Sequence, residues 1–256
     1  MEVIIALAAF AASLLTLFSG FGLGTILTPI FGIFFPLNIA VALTGIVHLL
    51  NNLFKLTLLG KNASRELVLR FGIPSVAGGF IGALVLAALS QLPILFTWEC
   101  CGKTLEVTPL KLAIAVLMIG FALMEILPVL KNVNFAGRHL TLGGLLSGFF
   151  GGLSGHQGAL RTAFLVNCGL SKEAFVATGV VIACMVDFTR LPIYFTRFSA
   201  ADIINQWPLL LIATLSAFAG AFLGKLFLKK TTLQTVHKFT AAMIIGIALL
   251  LAAGVL

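Results

Sequence analysis

Long apolar stretches separated by short polar or glycine-rich segments run along the whole chain. They cover about residues 3–18, 21–35, 38–59, 67–90, 110–130, 140–152, 156–169, 173–196, 206–228 and 235–255. Six of them are long enough for a helix to cross the roughly 30 Å hydrocarbon core of a bilayer. Since helices satisfy their own backbone hydrogen bonds in lipid, the pattern predicts an all-α polytopic membrane protein with about 8–10 helical segments.

The four shorter stretches form two adjacent pairs, 3–18 with 21–35 and 140–152 with 156–169. A glycine-rich break divides each pair. A helix of about 15 residues spans only about 22 Å, which is short of a full crossing. We therefore expect each pair to form a broken-helix hairpin, followed in both halves by three full transmembrane helices.

The two halves of the chain resemble each other in the same order. "AGGFIGALV" at 77–85 matches "AGAFLGKLF" at 219–227, and "AVALTGIV" at 40–47 matches "FVATGVVI" at 175–182. "SGFGLGTILTP" at 19–29 matches "LSGHQGALRTA" at 153–163. The sequence predicts one membrane domain made of two repeats, 1–130 and 131–256.

Positive charges are unevenly distributed over the connections. Ten Lys and Arg residues fall in the connections 60–70, 131–139, 170–173 and 225–238, whereas three, Lys103, Lys111 and Arg197, fall in the others. Because cytoplasmic loops are enriched in Lys and Arg, we expect the first set to be cytoplasmic and both termini to lie outside. The repeats then have inverted topology, an architecture typical of secondary transporters that bind substrate near the midplane.

Polar residues inside the apolar stretches are the candidates for function, because charge within a bilayer normally faces a cavity or a partner. His48, Asn52 and Lys55 share one helix face, and Asp187 and Arg190 share another with Cys184 and Tyr194. Asp187, Arg190 and Lys55 are candidates for coupling or gating. Two alternatives stay open: a structural Asp187–Arg190 ion pair, and a Lys55 side chain that reaches the cytoplasmic interface.

Arg161 lies about one turn into the short helix that follows the second break. Free N–H groups at a helix start and a bidentate arginine both favour an anion. If the two breaks meet at the midplane, they form a small electropositive pocket. The predicted substrate-binding residues are Arg161, His156, Gln157, Gly155, Gly158, Gly22, Gly24, Thr25, His48 and Asn52.

At these glycine-rich segments, "SGFGLGTILTP…AVALTG" and "GGLSGHQGALRTAF…FVATG", the chain resembles the TauE/SafE-type sulfite exporter family of membrane anion transporters. His156 and Gln157 replace glycine-like positions of the family pattern, and Ala163 stands opposite Pro29. The resemblance implies transport of sulfite, thiosulfate, an organosulfonate or a related small anion across a bacterial cytoplasmic membrane. An anion channel, or a carrier for another small organic anion such as a carboxylate, is the alternative.

Other classes fit the sequence poorly. A composition of 60% hydrophobic and 9% charged residues argues against a soluble protein. The net charge of +8 comes without a basic stripe that would suggest nucleic acid. An enzyme is not expected, since no zinc motif or credible Ser-His dyad is present. We expect no cofactor and no metal, and the expected partners are the bilayer, the anion and a proton or sodium co-substrate.

Overall fold

The computed structural model describes residues 1–19, 22–100, 102–126, 139–227 and 234–255, which form a helical bundle. The first half contains α1 (Glu2–Ser19), α2 (Gly24–Gly32), α3 (Leu37–Leu59), α4 (Arg65–Leu67), α5 (Ile73–Leu89) and α6 (Pro109–Ile126). The second half contains α7 (Leu140–Ser154), α8 (Gly158–Leu165), α9 (Lys172–Arg197), α10 (Ala200–Ile204), α11 (Trp207–Phe227) and α12 (Gln234–Ala252). A π-helical turn, Val68–Gly72, joins α4 to α5.

Four helical stretches are long and apolar enough to cross a membrane. They are Leu37–Leu58, Arg65–Leu89, Lys172–Arg197 and Trp207–Leu226. The other two expected spans have shorter apolar helices in the described residues, Pro109–Met124 and Ala241–Ala252. The prediction of an all-α polytopic membrane protein is confirmed. Four of the loop charges used to assign the cytoplasmic side lie outside the described residues, namely Lys131, Arg138, Lys229 and Lys230.

The expected short helices are present after each glycine-rich break. α2 has 9 residues and α8 has 8, so each is roughly 12–14 Å long and too short to cross a bilayer. The two breaks therefore place helix ends inside the bundle. α7 ends at Ser154 because Gly155 takes the left-handed conformation at φ 81°, which glycine adopts without steric cost.

The longer helices pack against one another in pairs. α5 packs on α7 and α1 packs on α11, while α3 packs on α9 and α6 on α12. Exchanging the two halves, so that α1 replaces α7 and α5 replaces α11, maps the first two pairs onto each other. Two expectations stay predictions. One is that the two halves are inserted in the membrane in opposite orientations, and the other is that the repeats divide between residues 130 and 131.

A β-hairpin is the element that the sequence pattern did not predict. β1 (Phe96–Cys100) pairs antiparallel with β2 (Lys103–Val107), between α5 and α6. Its Trp98 donates a hydrogen bond from Nε1 to the carbonyl of Ala253 at 2.8 Å. Lys111 holds the same region, since its Nζ donates to the Glu106 carbonyl at 2.9 Å. The hairpin is thereby fixed to the end of the chain that follows α12.

The tightest packing is the seam between α5 and α7. A Cβ added to any of five glycines on these helices would overlap a backbone carbonyl oxygen of the facing helix: Gly78, Gly82, Gly144, Gly148 and Gly152. Gly220 of α11 approaches the Phe10 carbonyl of α1 in the same manner. Small residues that let two backbones touch are the usual basis of helix association in membranes.

We predict that Gly148→Ala destabilises the protein by about 1–3 kcal/mol, the usual cost of overpacking. The added Cβ would overlap the Ser75 carbonyl, and a backbone atom cannot move aside as a flexible side chain can. The measurement is thermal unfolding of the purified protein in detergent. Gly120→Ala is the matched control, because a Cβ at Gly120 meets nothing within 4 Å. Equal melting temperatures for the two variants would contradict this account of the seam.

Candidate functional site

The polar faces of α3 and α9 lie against each other in the middle of the bundle. His48, Asn52 and Lys55 of α3 are 3–5% exposed, and Asp187 and Arg190 of α9 are fully buried. The helical spacing used in the sequence analysis therefore identified two faces that meet. Because a buried charge is costly unless it is paired, the partners of each group decide what this region can do.

Asp187 is shared by two neighbours. His48 Nδ1 lies 2.6 Å from Asp187 Oδ2, and Arg190 Nε donates to Oδ1 at 2.9 Å. When His48 Nδ1–H points to the carboxylate, its Nε2 is left as the acceptor for the Asn52 amide at 3.3 Å. The Asp187–Arg190 ion pair, one of the alternatives that the sequence left open, is therefore formed, and the hydrogen bonds continue through His48 to Asn52.

Arg190 and Tyr194 also fasten α9 to the last turn of α7. Arg190 Nη1 donates to the carbonyl of Gly151 at 3.0 Å, and the Tyr194 hydroxyl donates to the carbonyl of Gly152. The Arg190 guanidinium lies 5.8 Å from the centre of the Tyr194 ring. Nε and Nη1 of Arg190 therefore have hydrogen-bond partners that hold α9 to Asp187 and to α7, whereas Nη2 lies 2.8 Å from Asp187 Oδ1 without a hydrogen bond.

A small cavity of about 40 Å³ lies beside this network. Its polar side chains come from three helices: His48, Asn52 and Lys55 from α3, Arg161 and Thr162 from α8, and Thr16 from α1. Gly22, at the first break, also lines it. A single water needs about 10–15 Å³ on this measure, so the cavity has room for a few waters or one compact ion.

Arg161 enters the cavity from the first turn of α8. Gly179 of α9 provides the space for it, because a Cβ there would lie only 3.1 Å from Arg161 Nε. The side chain is 9% exposed, and its Nη1 atom has no hydrogen-bond partner. A buried guanidinium donor without a partner is costly, and an anion in the cavity would remove that cost.

Lys55 lies inside the bundle and does not extend to the interface. It is 5% exposed and lines the same cavity as Arg161. With the Asn51 amide turned to satisfy its neighbours, Lys55 Nζ lies 3.2 Å from Asn51 Oδ1 while the amide nitrogen donates to the Ala217 carbonyl. The lysine is thus held by a neutral oxygen, and the interfacial alternative is wrong for this residue.

The two glycine-rich breaks touch each other, as expected. A Cβ on Gly24 would lie 2.9 Å from the Gly155 carbonyl oxygen, and a Cβ on Gly22 would lie 3.4 Å from His48 Nε2. A larger residue at Gly24 would therefore push the breaks apart, whereas the distances at Gly22 are ordinary van der Waals contacts. The contact brings the start of α2 and the end of α7 next to the cavity.

A family model described as "Sulfite exporter TauE/SafE" matches residues 5–251 of the chain. The chain belongs to the TauE/SafE sulfite exporter family. Together with the apolar helices, this membership makes the protein an integral membrane protein of an anion transporter family. Comparison with curated proteins and with solved structures found no match.

The residues predicted for substrate binding in this TauE/SafE protein fall into two groups. Arg161, His48, Asn52 and Gly22 line the cavity. Six others are not among its lining residues: Gly24, Thr25, Gly155, His156, Gln157 and Gly158. The role of this second group in binding stays a prediction.

His156 and Gln157 have distinct surroundings at the second break. His156 Nδ1 is 2.9 Å from the Ser154 carbonyl, and its ring stacks on Phe121 with centroids 6.0 Å apart. Gln157 is fully buried, and neither atom of its amide group has a hydrogen-bond partner. The histidine is therefore positioned through Nδ1 by its own turn, while its Nε2 and both atoms of the glutamine amide have no hydrogen-bond partner.

Gly45 and Gly179 are two positions beside the candidate site that the sequence analysis did not single out. Each faces an arginine: a Cβ on Gly45 would lie 3.4 Å from Arg190 Nη2, and Gly179 faces Arg161. The signal was present in the sequence, since the Thr-Gly pairs at 44–45 and 178–179 match between the repeats.

The described residues contain no group of three His, Cys, Asp or Glu side chains that could hold a metal ion.

We predict that Arg190→Met destabilises the protein by about 3–5 kcal/mol, because it leaves Asp187 buried with only His48 as a partner. The double variant Asp187→Leu/Arg190→Met is expected to be more stable than the sum of the single effects implies. Denaturant unfolding of the purified protein measures both. Additive effects of the two substitutions on the free energy of unfolding would show that the pair is not energetically coupled. Glu66→Gln serves as the control, because Glu66 forms an exposed ion pair with Arg70.

Proposed function

We propose that this TauE/SafE protein is a secondary transporter for a small sulfur-containing anion, such as sulfite, thiosulfate or an organosulfonate. It acts in the cytoplasmic membrane of a bacterium with both termini outside. The observation that carries the proposal is the cavity between α3, α8 and α9, in which Arg161 and Lys55 face a space of about 40 Å³. Family membership supports an anion as the substrate.

The anion binds to Arg161 through its guanidinium group. A planar fork of N–H donors matches two oxygens of a sulfite or sulfonate group, as it does those of a carboxylate. Lys55 and the Asn52 amide provide further donors from the opposite wall. The small volume favours a compact head group, and a longer organic tail has to extend out of the cavity.

Transport proceeds by alternating access, in which one set of helices rocks against the other around the site. The cavity is lined by Phe175 and Val176 at the start of α9 and by Lys55 near the end of α3. Both ends adjoin connections assigned to the cytoplasm by their charge. On the other side, Arg190 and Tyr194 join α9 to α7 and close the path.

The coupling ion is a proton, carried by the His48–Asp187 pair. His48 lies between the cavity and the carboxylate, so a change in its charge is felt by both. The charged groups near it are Asp187, Arg190, Arg161 and Lys55. Histidine is suited to this role because its ordinary titration range lies near neutral pH.

We predict that an imposed pH gradient drives sulfite into proteoliposomes containing the wild-type protein. His48→Gln keeps hydrogen bonding but cannot exchange a proton near neutral pH. The variant is therefore expected to lose the sulfite uptake that the pH gradient drives. Sulfite exchange measured without a gradient is expected to be unchanged. Uptake of radiolabelled sulfite measures both. If His48→Gln leaves the rate of pH-driven sulfite uptake unchanged, His48 is not the proton carrier. Faster sulfite uptake in a sodium gradient would indicate that sodium is the coupling ion.

We predict that Arg161→Ala lowers sulfite affinity by about tenfold or more, because a charged hydrogen bond to the anion is lost. Calorimetric titration measures binding, and counterflow in proteoliposomes measures transport. Arg197→Ala is the control, since Arg197 is exposed at the end of α9 and outside the cavity.

Two results would overturn the proposed function. Unchanged sulfite binding by Arg161→Ala would remove the cavity as the binding site. Flux that fails to saturate and shows no counterflow would indicate an anion channel. Preferential binding of matched carboxylates over sulfur anions would keep the carrier but change its substrate class.

A further inference from the structure

We propose that Lys55 gives the cavity a second uncompensated positive charge and thereby selects doubly charged over singly charged anions. The inference rests on the proposed function and adds the valence of the substrate to it. The inference is based on a comparison of the charges around the cavity, some of which are neutralised by a partner and some of which are not.

Asp187 is the only buried carboxylate among the residues whose side chains the structure describes, and Arg190 and His48 already occupy it. Arg190 Nε donates to Oδ1 at 2.9 Å, and Nη2 lies 2.8 Å from the same oxygen without forming a hydrogen bond. The positive charge of Arg190 and the negative charge of Asp187 therefore cancel. With the hydrogen bonds of His48 satisfied in its neutral form, this network contributes no net charge to the cavity.

Lys55 and Arg161 have no such partner. The ion pairs recorded among the described residues involve neither side chain, and Nη1 of Arg161 lacks any hydrogen-bond partner. The neighbour of Lys55 Nζ is the neutral amide oxygen of Asn51, at 3.2 Å. Two cations, each less than a tenth exposed, therefore line one small cavity.

The valence of the ligand follows from the cost of a buried charge. An ion pair in a buried site is strong, but a charge left without a partner there is costly. A singly charged anion leaves one of the two cations uncompensated, whereas a doubly charged anion neutralises both. Because the cavity holds only a few atoms, both charges have to belong to one compact group, such as sulfite, sulfate or thiosulfate.

The test uses pairs of anions that match in shape and differ in charge. Sulfite and methanesulfinate are both pyramidal at sulfur, and one anionic oxygen of the first is replaced by a methyl group in the second. Sulfate and methanesulfonate form the corresponding tetrahedral pair. Binding is measured by calorimetric titration of the purified full-length protein at neutral pH, where sulfate is doubly charged and sulfite is partly so.

We expect the wild-type protein to bind the doubly charged member of a pair about tenfold more tightly or better. Lys55→Met is expected to weaken that binding by a similar factor and to change the affinity for the singly charged member by less than about threefold. Lys55→Arg, which keeps the charge, should keep the preference. Lys225→Met is the matched control, because Lys225 is exposed and its Nζ bonds to the Leu58 carbonyl outside the cavity.

The outcomes separate this inference from the proposed function. Equal affinity of the wild-type protein for both members of each pair overturns the inference without any variant, so the test stands even if Lys55→Met fails to fold. A Lys55→Met variant that weakens both anions equally also overturns it, since Lys55 then acts without regard to valence. If Arg161→Met leaves every anion unaffected, the cavity is not the site and the proposed function itself fails.

Discussion

The burial of Asp187 between His48 and Arg190 is the interaction on which the rest of the centre depends. A carboxylate removed from water needs charged or hydrogen-bonding partners, and here they come from two helices in different halves of the chain. The contact fixes α3 against α9. It also consumes the charge of Arg190, so that the cationic character of the adjoining cavity is due to Arg161 and Lys55 alone.

Glycine has three separate structural roles around this centre. On α5 and α7 it lets helix backbones meet, and the bundle gains its rigidity there. At Gly45 and Gly179 it makes room for arginine side chains that would otherwise have no space in the core. The two breaks use glycine in a third way, to end one helix and start another within the bundle, which brings Arg161 to the cavity.

Much of this arrangement follows from helical spacing. The spacing of His48, Asn52 and Lys55, and of Asp187 and Arg190, was enough to predict two polar faces, because residues three or four apart lie on one side of a helix. Which face meets which is a tertiary property, so the His48–Asp187 contact was not predictable. The direction of the Lys55 side chain was unpredictable for the same reason. Proximity to the loop favoured the interface, but Lys55 Nζ lies beside the Asn51 oxygen in the packed core, and the Ala217 carbonyl orients that Asn51 amide. The hairpin at 96–107 was missed because its short strands do not stand out beside long apolar runs.

The seam between α5 and α7 has a mechanical consequence. Where carbonyl oxygens of one helix sit against the Cα atoms of glycines on the other, neither helix can slide or roll without forcing side chains over backbone. The two helices therefore move together as one stiff element, and the contact of α1 with Gly220 of α11 joins a second such element. In the proposed transport cycle the cavity would open between these elements, and Gly155, with its left-handed backbone, separates α7 from α8, which carries Arg161.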